Sequence, residues 1–256
     1  MGVDKVRALA EMGIKPMWRL RAPMLSPDAA VPVDSSTAVL VTAPLSDDVS
    51  VVAAPTVAAA TLSPLRERSG IAAMGWDELA NSASECRACG LCERRKQAVF
   101  GVGDRQADWM FVGEGPGAEE DERGEPFVGQ AGKLLDAMLD AVSLKRGSNV
   151  YIANAVKCRP PGNRTPEASE IAACRPYLER QIELVKPKVL VALGRPAAQI
   201  LLGQELSIAA ARRNVHRYGD LPVVVTYHPA YLLRTLPDKA KAWEDLCFAL
   251  DQMAKA

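Results

Sequence analysis

Six cysteines punctuate the chain, and three of them, Cys86, Cys89 and Cys92, fall within seven residues. Cys158, Cys174 and Cys247 come much later. Two thiols separated by two residues can grip one metal ion or two irons of a cluster, and a second pair elsewhere completes four thiolates. Cys86 and Cys89 with Cys158 and Cys174 make such a set, which suits either zinc or a [4Fe–4S] cluster; spacing does not separate the two. Cys92 opens another arrangement, because Cys86, Cys89 and Cys92 alone have ferredoxin-type spacing. Cys247 sits in a helical pattern and reads as a core residue.

A second group of residues suits recognition of a flat ligand. The run 113–118, GEGPGA, formally satisfies a dinucleotide-binding fingerprint after a strand. Its context argues otherwise: Pro116 interrupts the turn, acidic residues 119–122 would repel phosphate, and the next apolar helical pattern begins only after Gly129. What the loop offers is close backbone approach, with Glu114, Gly115 and Glu120 alongside. Phe127, set between Pro126 and a Gly-rich stretch, can stack on a base. Asn154 ends a strand and can present a donor and an acceptor to a pyrimidine edge. Lys157, Arg159 and Arg164 follow and suit phosphates. His228 also ends a strand and precedes Tyr231, Leu232, Leu233 and Arg234, an apolar run that could wedge into a base stack while Arg234 holds the backbone.

The elements that must position these residues alternate. Strands are expected at 108–113, 149–154, 189–193 and 223–227. Helices are expected at 133–142, from a Thr165–Pro166 cap to about 185, at 195–202 with Gly203 as its stop, and at 239–254. Alternation of this kind implies a mostly parallel sheet covered on both faces, a three-layer α/β/α fold. In such folds the site lies beyond the carboxyl ends of the strands, which points to loops 113–131, 154–165 and 227–234.

Residues 22–65 contain six prolines and no Lys, Arg or aromatic residue, and read as a disordered linker. Its Val-rich pieces, 39–41 and 49–57, are the only strand candidates there. Residues 1–21 carry five basic and two acidic residues, and suit either a partner-binding helix or a frayed terminus. The expected division is a low-complexity extension over 1–75 and a folded domain over 76–256. With 31 basic and 31 acidic residues the chain has no net charge, so bulk electrostatics does not drive nucleic-acid binding and any such contact is local. No apolar run approaches the ~20 residues that cross a bilayer, and no secretory signal is visible. Clustered thiols in such a chain suit metal or redox work better than disulfides.

The combination of GEGPG at 113–117, Glu120 and Asp121, PFVG at 126–129, Asn154, KCRPP at 157–161, Asn163 and Arg164, HPAYLLR at 228–234 and the four cysteines resembles the family-4 uracil-DNA glycosylases, in order from about Cys86 to Trp243. The resemblance implies that family's α/β/α fold, a [4Fe–4S] cluster held by Cys86, Cys89, Cys158 and Cys174 with Cys92 spare, and excision of uracil from DNA. It implies that Phe127 stacks on the uracil ring, that Asn154 reads the N3/O4 edge, that Glu114 and Gly115 bind the remaining carbonyl edge, and that His228 donates to O2 as charge develops on the leaving base. Glu120, with Asp121 and Glu114, is expected to orient water or stabilise the cationic sugar. Arg164 and Tyr231–Arg234 are expected to contact DNA. One branch of the superfamily is trapped on DNA by a histidine in the loop after the second strand; 159–165 has none, so ordinary turnover is expected. The expected setting is the cytoplasm of a prokaryote-type cell, as a monomer acting on chromosomal DNA without membrane contact. Two rival readings are a zinc-bound DNA-binding module, which needs the cysteines but not His228, and a nucleotide-binding enzyme using the Gly-rich loop.

Overall fold

The computed structural model describes residues 70–256. The extension expected over 1–75, with its Val-rich pieces, lies outside the described residues except for the last six. Of those six, Ile71–Ala73 form a single 3-10 turn, and Ile71 is buried against the domain.

Six strands form one sheet: β1 (Val102–Gly103), β2 (Trp109–Gly113), β3 (Val150–Asn154), β4 (Val189–Leu193), β5 (His216–Tyr218) and β6 (Leu221–Thr226). Their order is β1-β3-β2-β4-β6-β5. The central four are parallel, and β1 and β5 pair antiparallel at the two edges. The helices are α1 (Trp76–Glu85), α2 (Ala118–Arg123), α3 (Gln130–Ala141), α4 (Ala168–Val185), α5 (Arg195–Leu202), α6 (Ile208–Ala211), α7 (Pro229–Arg234) and α8 (Lys239–Met253).

The apolar strands are buried on both faces, as parallel strands between helical layers must be. All five residues of β2 and of β4 are buried. Successive side chains alternate between the two cores. Trp109 and Phe111 join Leu135, Met138 and Trp243 on the α3/α8 side. Met110 and Val112 join Leu178, Ile182 and Ala197 on the α4/α5 side. A third, smaller cluster joins Leu79, Ala83, Leu91, Val156 and Tyr177 beside Cys158 and Cys174.

The structure departs from the sequence expectations in several places, and helices α1 and α6 were not among the expected elements. Edge strands β1 and β5 were not anticipated; at two and three residues they are too short to show a period. Helix α4 starts at Ala168 with Glu167 as its cap, because the Glu170 carboxylate reaches back to the Glu167 amide at 2.8 Å. Thr165 and Pro166 therefore belong to the preceding loop. Helix α2 follows Gly117 directly, where no helix was expected before Gly129; only Asp121 of its six residues is buried, so it carries no apolar stripe. Residues 229–234, expected as a loop, form α7, with Pro229 at its first position.

Candidate active site

A cleft of about 420 Å³ opens where β2, β3 and β6 end, the position favoured in open parallel sheets. Glu114 follows β2, Asn154 closes β3 and His228 follows β6; all three line it, together with Gly115, Glu120 and Phe127. The structure thus brings together every residue expected to read a base. Pairing beyond the strands holds the register: Ala155 N donates to Gly113 O at 2.9 Å and Val156 N to Glu114 O at 3.1 Å.

Asn154 is 2 % exposed, and its Oδ1 has no hydrogen-bond partner. An unpaired buried acceptor costs about 1–3 kcal/mol, which a ligand N–H placed there would recover. Gly113 stands opposite Asn154 in the sheet. A Cβ at 113 would strike Asn154 Oδ1 and come 2.6 Å from Phe127 Cζ. Only glycine lets the amide and the ring crowd the end of β2.

His228 caps α7 with its ring: Nδ1 accepts from the Ala230 amide at 3.1 Å. That bond needs a bare Nδ1, so the proton resides on Nε2. Burial, reinforced by the Arg234 charge, lowers the His228 pKa to about 4. The ring therefore enters the site neutral, with one N–H to give. It lies beside Phe127, ring centres 5.5 Å apart.

The acidic residues divide by what already holds them. Glu120 is saturated with backbone donors: Oε2 accepts from Gly117 N at 3.0 Å, and Oε1 from Val128 N at 3.0 Å and Gly129 N at 3.1 Å. It braces two loops around the cleft. One of these bonds takes the Gly117 amide, and the helix that follows the Gly-rich loop opens with Glu119, Glu120 and Asp121 in its first turn, which argues against the nucleotide reading. Asp121 is buried and accepts from Lys96 N at 2.9 Å, with no place in the cleft lining. Glu114 faces the cleft with its carboxyl raised above the usual range by burial, against a hydrogen bond with Thr165.

Of the residues expected to contact DNA, Arg164, Tyr231 and Arg234 line the cleft, whereas Leu232 and Leu233 are not among its lining. Leu232 is fully buried in the core, so it does not join a wedge; the helical turn of α7 points it inward. Tyr231 stacks on Tyr227, ring centres 5.2 Å apart, and its hydroxyl donates to Asp238 at 2.6 Å. Arg164 gives both terminal nitrogens to Glu170, at 2.8 and 2.7 Å, so its charge is neutralised beside the cleft. Arg234 lines the cleft, and Leu233 is 42 % exposed. Leu236, which the sequence did not single out, is 57 % exposed, the most of any large apolar residue among those described. Exposure of a leucine two residues past an apolar helix is a tertiary fact with no sequence signal.

None of the six cysteines is in a disulfide. Cys86, Cys89, Cys92, Cys158 and Cys174 line one cavity on the far side of Val156 from the cleft, and Cys247 packs against the core on α8. Among the described residues no three His, Cys, Asp or Glu side chains are grouped to hold a single metal ion. Cys158 lies near Cys86 and Cys89, Cys174 near Cys158 and Cys86, and Cys89 near Cys86 and Cys92. Burial raises the Cys89 and Cys158 thiols and pushes Cys174 up to about 12. Donors nonetheless point at the sulfurs: Arg95 Nη1 reaches Cys158 Sγ at 2.8 Å and Lys157 N reaches Cys174 Sγ at 3.2 Å. Lys157 is itself buried, its Nζ donating to Asn154 O at 2.8 Å and to Gln181 Oε1 at 2.5 Å. The sequence suggested a phosphate contact for this lysine; burial makes it an internal brace for the end of β3.

The sequence profile of the Uracil DNA glycosylase superfamily matches residues 100–247. The type-4 uracil-DNA glycosylase of Archaeoglobus fulgidus is 44% identical over 165 residues, covering 61% of this chain and 82% of that protein. The type-4 uracil-DNA glycosylase of Thermotoga maritima is 46% identical over 164 residues, 62% of this chain and 85% of that protein. A type-5 uracil-DNA glycosylase of Pyrobaculum aerophilum is 33% identical over 150 residues, 51% of this chain and 64% of that protein.

Proposed function

The chain belongs to the uracil DNA glycosylase superfamily, and from that premise we propose that the cleft at the ends of β2, β3 and β6 is its uracil pocket. The protein excises uracil from DNA by hydrolysing the N-glycosidic bond, which leaves an abasic site for base excision repair. The observation that carries the assignment of the pocket is the unpartnered, buried Asn154 Oδ1 facing a site that also holds a neutral histidine.

A duplex hides the base, so the nucleotide must be flipped out of the stack. Leu233 and Leu236 are the exposed apolar side chains that would fill the gap, with Arg234 on the backbone. In the pocket Phe127 stacks on the ring. Asn154 Oδ1 accepts from uracil N3–H while its amide nitrogen donates to O4; cytosine reverses both groups. The C1′–N1 bond breaks with its electron pair going to the base, and the charge that gathers on O2 is met by His228 Nε2–H. Water adds to C1′ and its proton passes toward Glu114, the cleft carboxyl left without backbone donors, whose raised pKa makes it the better base. Glu120 holds the loops around the cationic sugar.

The five-cysteine cavity fits a [4Fe–4S] cluster. A mononuclear site draws four sulfurs to within about 3.8 Å of one another, given metal–sulfur bonds of about 2.3 Å, whereas a cluster spreads them over separate irons. N–H donors aimed at sulfur, with the Arg95 charge among them, suit an anionic centre. Cys86, Cys89, Cys158 and Cys174 would hold it, leaving Cys92 outside. When bound, the cluster supplies a four-point tie between distant parts of the chain, and each step above is performed by side chains of the cleft. This reading includes action as a monomer on chromosomal DNA in the cytoplasm of a prokaryote-type cell. No helix among the described residues is long and apolar enough to cross a membrane.

The direct test is incubation with a uracil-containing oligonucleotide followed by alkaline cleavage at abasic sites; intact strands would overturn the reading. Asn154→Ala should lower single-turnover excision about 10–100-fold, the cost of one or two unmade buried hydrogen bonds, with DNA affinity little changed. Wild-type excision by that variant would remove Asn154 from base recognition. Among the described residues, those lining the cleft fall between 114 and 234, and we place catalysis in the folded domain. Deleting residues 1–69, which spares buried Ile71, should leave excision near wild type; a tenfold loss would give the extension a part in the chemistry.

A further inference from the structure

Phe127, the ring on which the base is read to stack, sits on backbone that resists its conformation. Its φ is +55°, the left-handed region that a bulky side chain rarely adopts and that costs of order 1–3 kcal/mol unless the surroundings impose it. Two features impose it. The first is close approach: a Cβ at Gly132, in the first turn of α3, would collide with the Phe127 carbonyl, so the turn is seated directly on the helix. The second is Arg146, in the turn between α3 and β3. Its Nη1 donates to Pro126 O at 2.9 Å and its Nη2 to Phe127 O at 2.8 Å. Its Nε donates to Asp136 Oδ1 at 2.9 Å, which aims the fork from α3. The guanidinium thus grips two consecutive carbonyls of the strained turn from one rigid plane, an arrangement a lysine ammonium cannot reproduce. Arg146 does not line the cleft, and it meets the turn through backbone alone.

We infer that Arg146 is a positioning residue of the base pocket: by clamping the Pro126 and Phe127 carbonyls it fixes the height and tilt of the Phe127 ring. The inference rests on the reading of the cleft as the uracil pocket. A ring displaced by even an ångström stacks poorly on the flipped base, so the loss appears in the chemical step and in affinity for the base. It does not appear in affinity for the DNA backbone.

The experiment uses the full chain with iron content matched between variants. Arg146→Ala and Arg146→Lys are compared with wild type in single-turnover excision, inhibition by free uracil, binding of abasic DNA and thermal unfolding. We expect Arg146→Ala to excise about tenfold more slowly and to need about tenfold more uracil for half-inhibition, with abasic-DNA affinity within about twofold. Arg146→Lys keeps the charge without the fork and should resemble Ala. Guanidinium ion added at concentrations below denaturing should raise the rate of the Ala variant and not that of wild type. Several outcomes overturn the proposal: unchanged uracil inhibition, full activity in the Lys variant, a loss that follows DNA affinity and salt, or a fall in thermal stability alone. If wild type fails to excise uracil, the pocket reading itself falls; active wild type beside an indistinguishable Ala variant overturns only the clamp.

Discussion

His228→Ala is expected to slow single-turnover excision by about 10²–10³-fold, the usual loss for one donor aimed at developing charge. Affinity for abasic DNA should hold, because α7 and its exposed Leu233 stay in place. The reason is the fixed tautomer. The Ala230 amide occupies Nδ1, so Nε2–H is the donor the site receives, and it strengthens only as negative charge reaches O2. A near-normal rate would reduce His228 to a helix cap, and an equal fall in binding would make it a support for α7. The neutral ring also predicts a pH signature. Its pKa falls from 6.5 to about 4 on folding, so between those values the unfolded chain binds the extra proton and stability rises with pH. Relative to His228→Gln, wild type should lose about 2 kcal/mol between pH 7 and pH 5. The excision rate should show no inflection near 6.5 assignable to this residue. Equal pH dependence of stability in the two proteins would place a charged ring in the folded state.

Cys174→Ser is expected to lose nearly all bound iron and the brown absorption that goes with it, and excision should fall with the iron by about 100-fold or more. Cys174 is buried on α4, far in sequence from Cys86 and Cys89, so its removal frees one side of a tie that closes a long loop. The effect should reach the cleft through Val156. One face of Val156 belongs to the cysteine cluster, and its Cγ2 lies 2.8 Å from where a Gly115 Cβ would be. Its amide holds the Glu114 carbonyl. Cys92→Ser, by contrast, should keep iron, colour and activity. Iron retained without Cys174 but lost without Cys92 would reverse the ligand assignment, and stoichiometric zinc in a colourless wild type would replace the cluster with a structural metal site.

The sequence by itself determined where the chemistry would gather. Buried strands 109–113, 150–154 and 189–193 announce themselves as short apolar runs, and their carboxyl ends carry Glu114 and Asn154; His228 follows the next such run. The cysteine pairs are equally plain, because thiols at that spacing have few other uses. What the sequence left open are matters of partnership. The Glu120 carboxylate looked free for water, and the fold spends it on three amides from two loops. Lys157 looked like a phosphate contact, and the fold buries it under Asn154. Leu232 and Leu233 are identical in type and adjacent in sequence, yet α7 sends the first into the core and leaves the second exposed. The open Asn154 Oδ1 and the strained Phe127 turn likewise belong to tertiary structure, whereas the tautomer of His228 is set locally by the Ala230 amide. Periodicity records which face of an element avoids water, a local property repeated along the chain. Hydrogen-bond partners depend on how the backbone turns and on which segments pack together, so the packed fold decides which polar atoms are satisfied and which are left for a ligand.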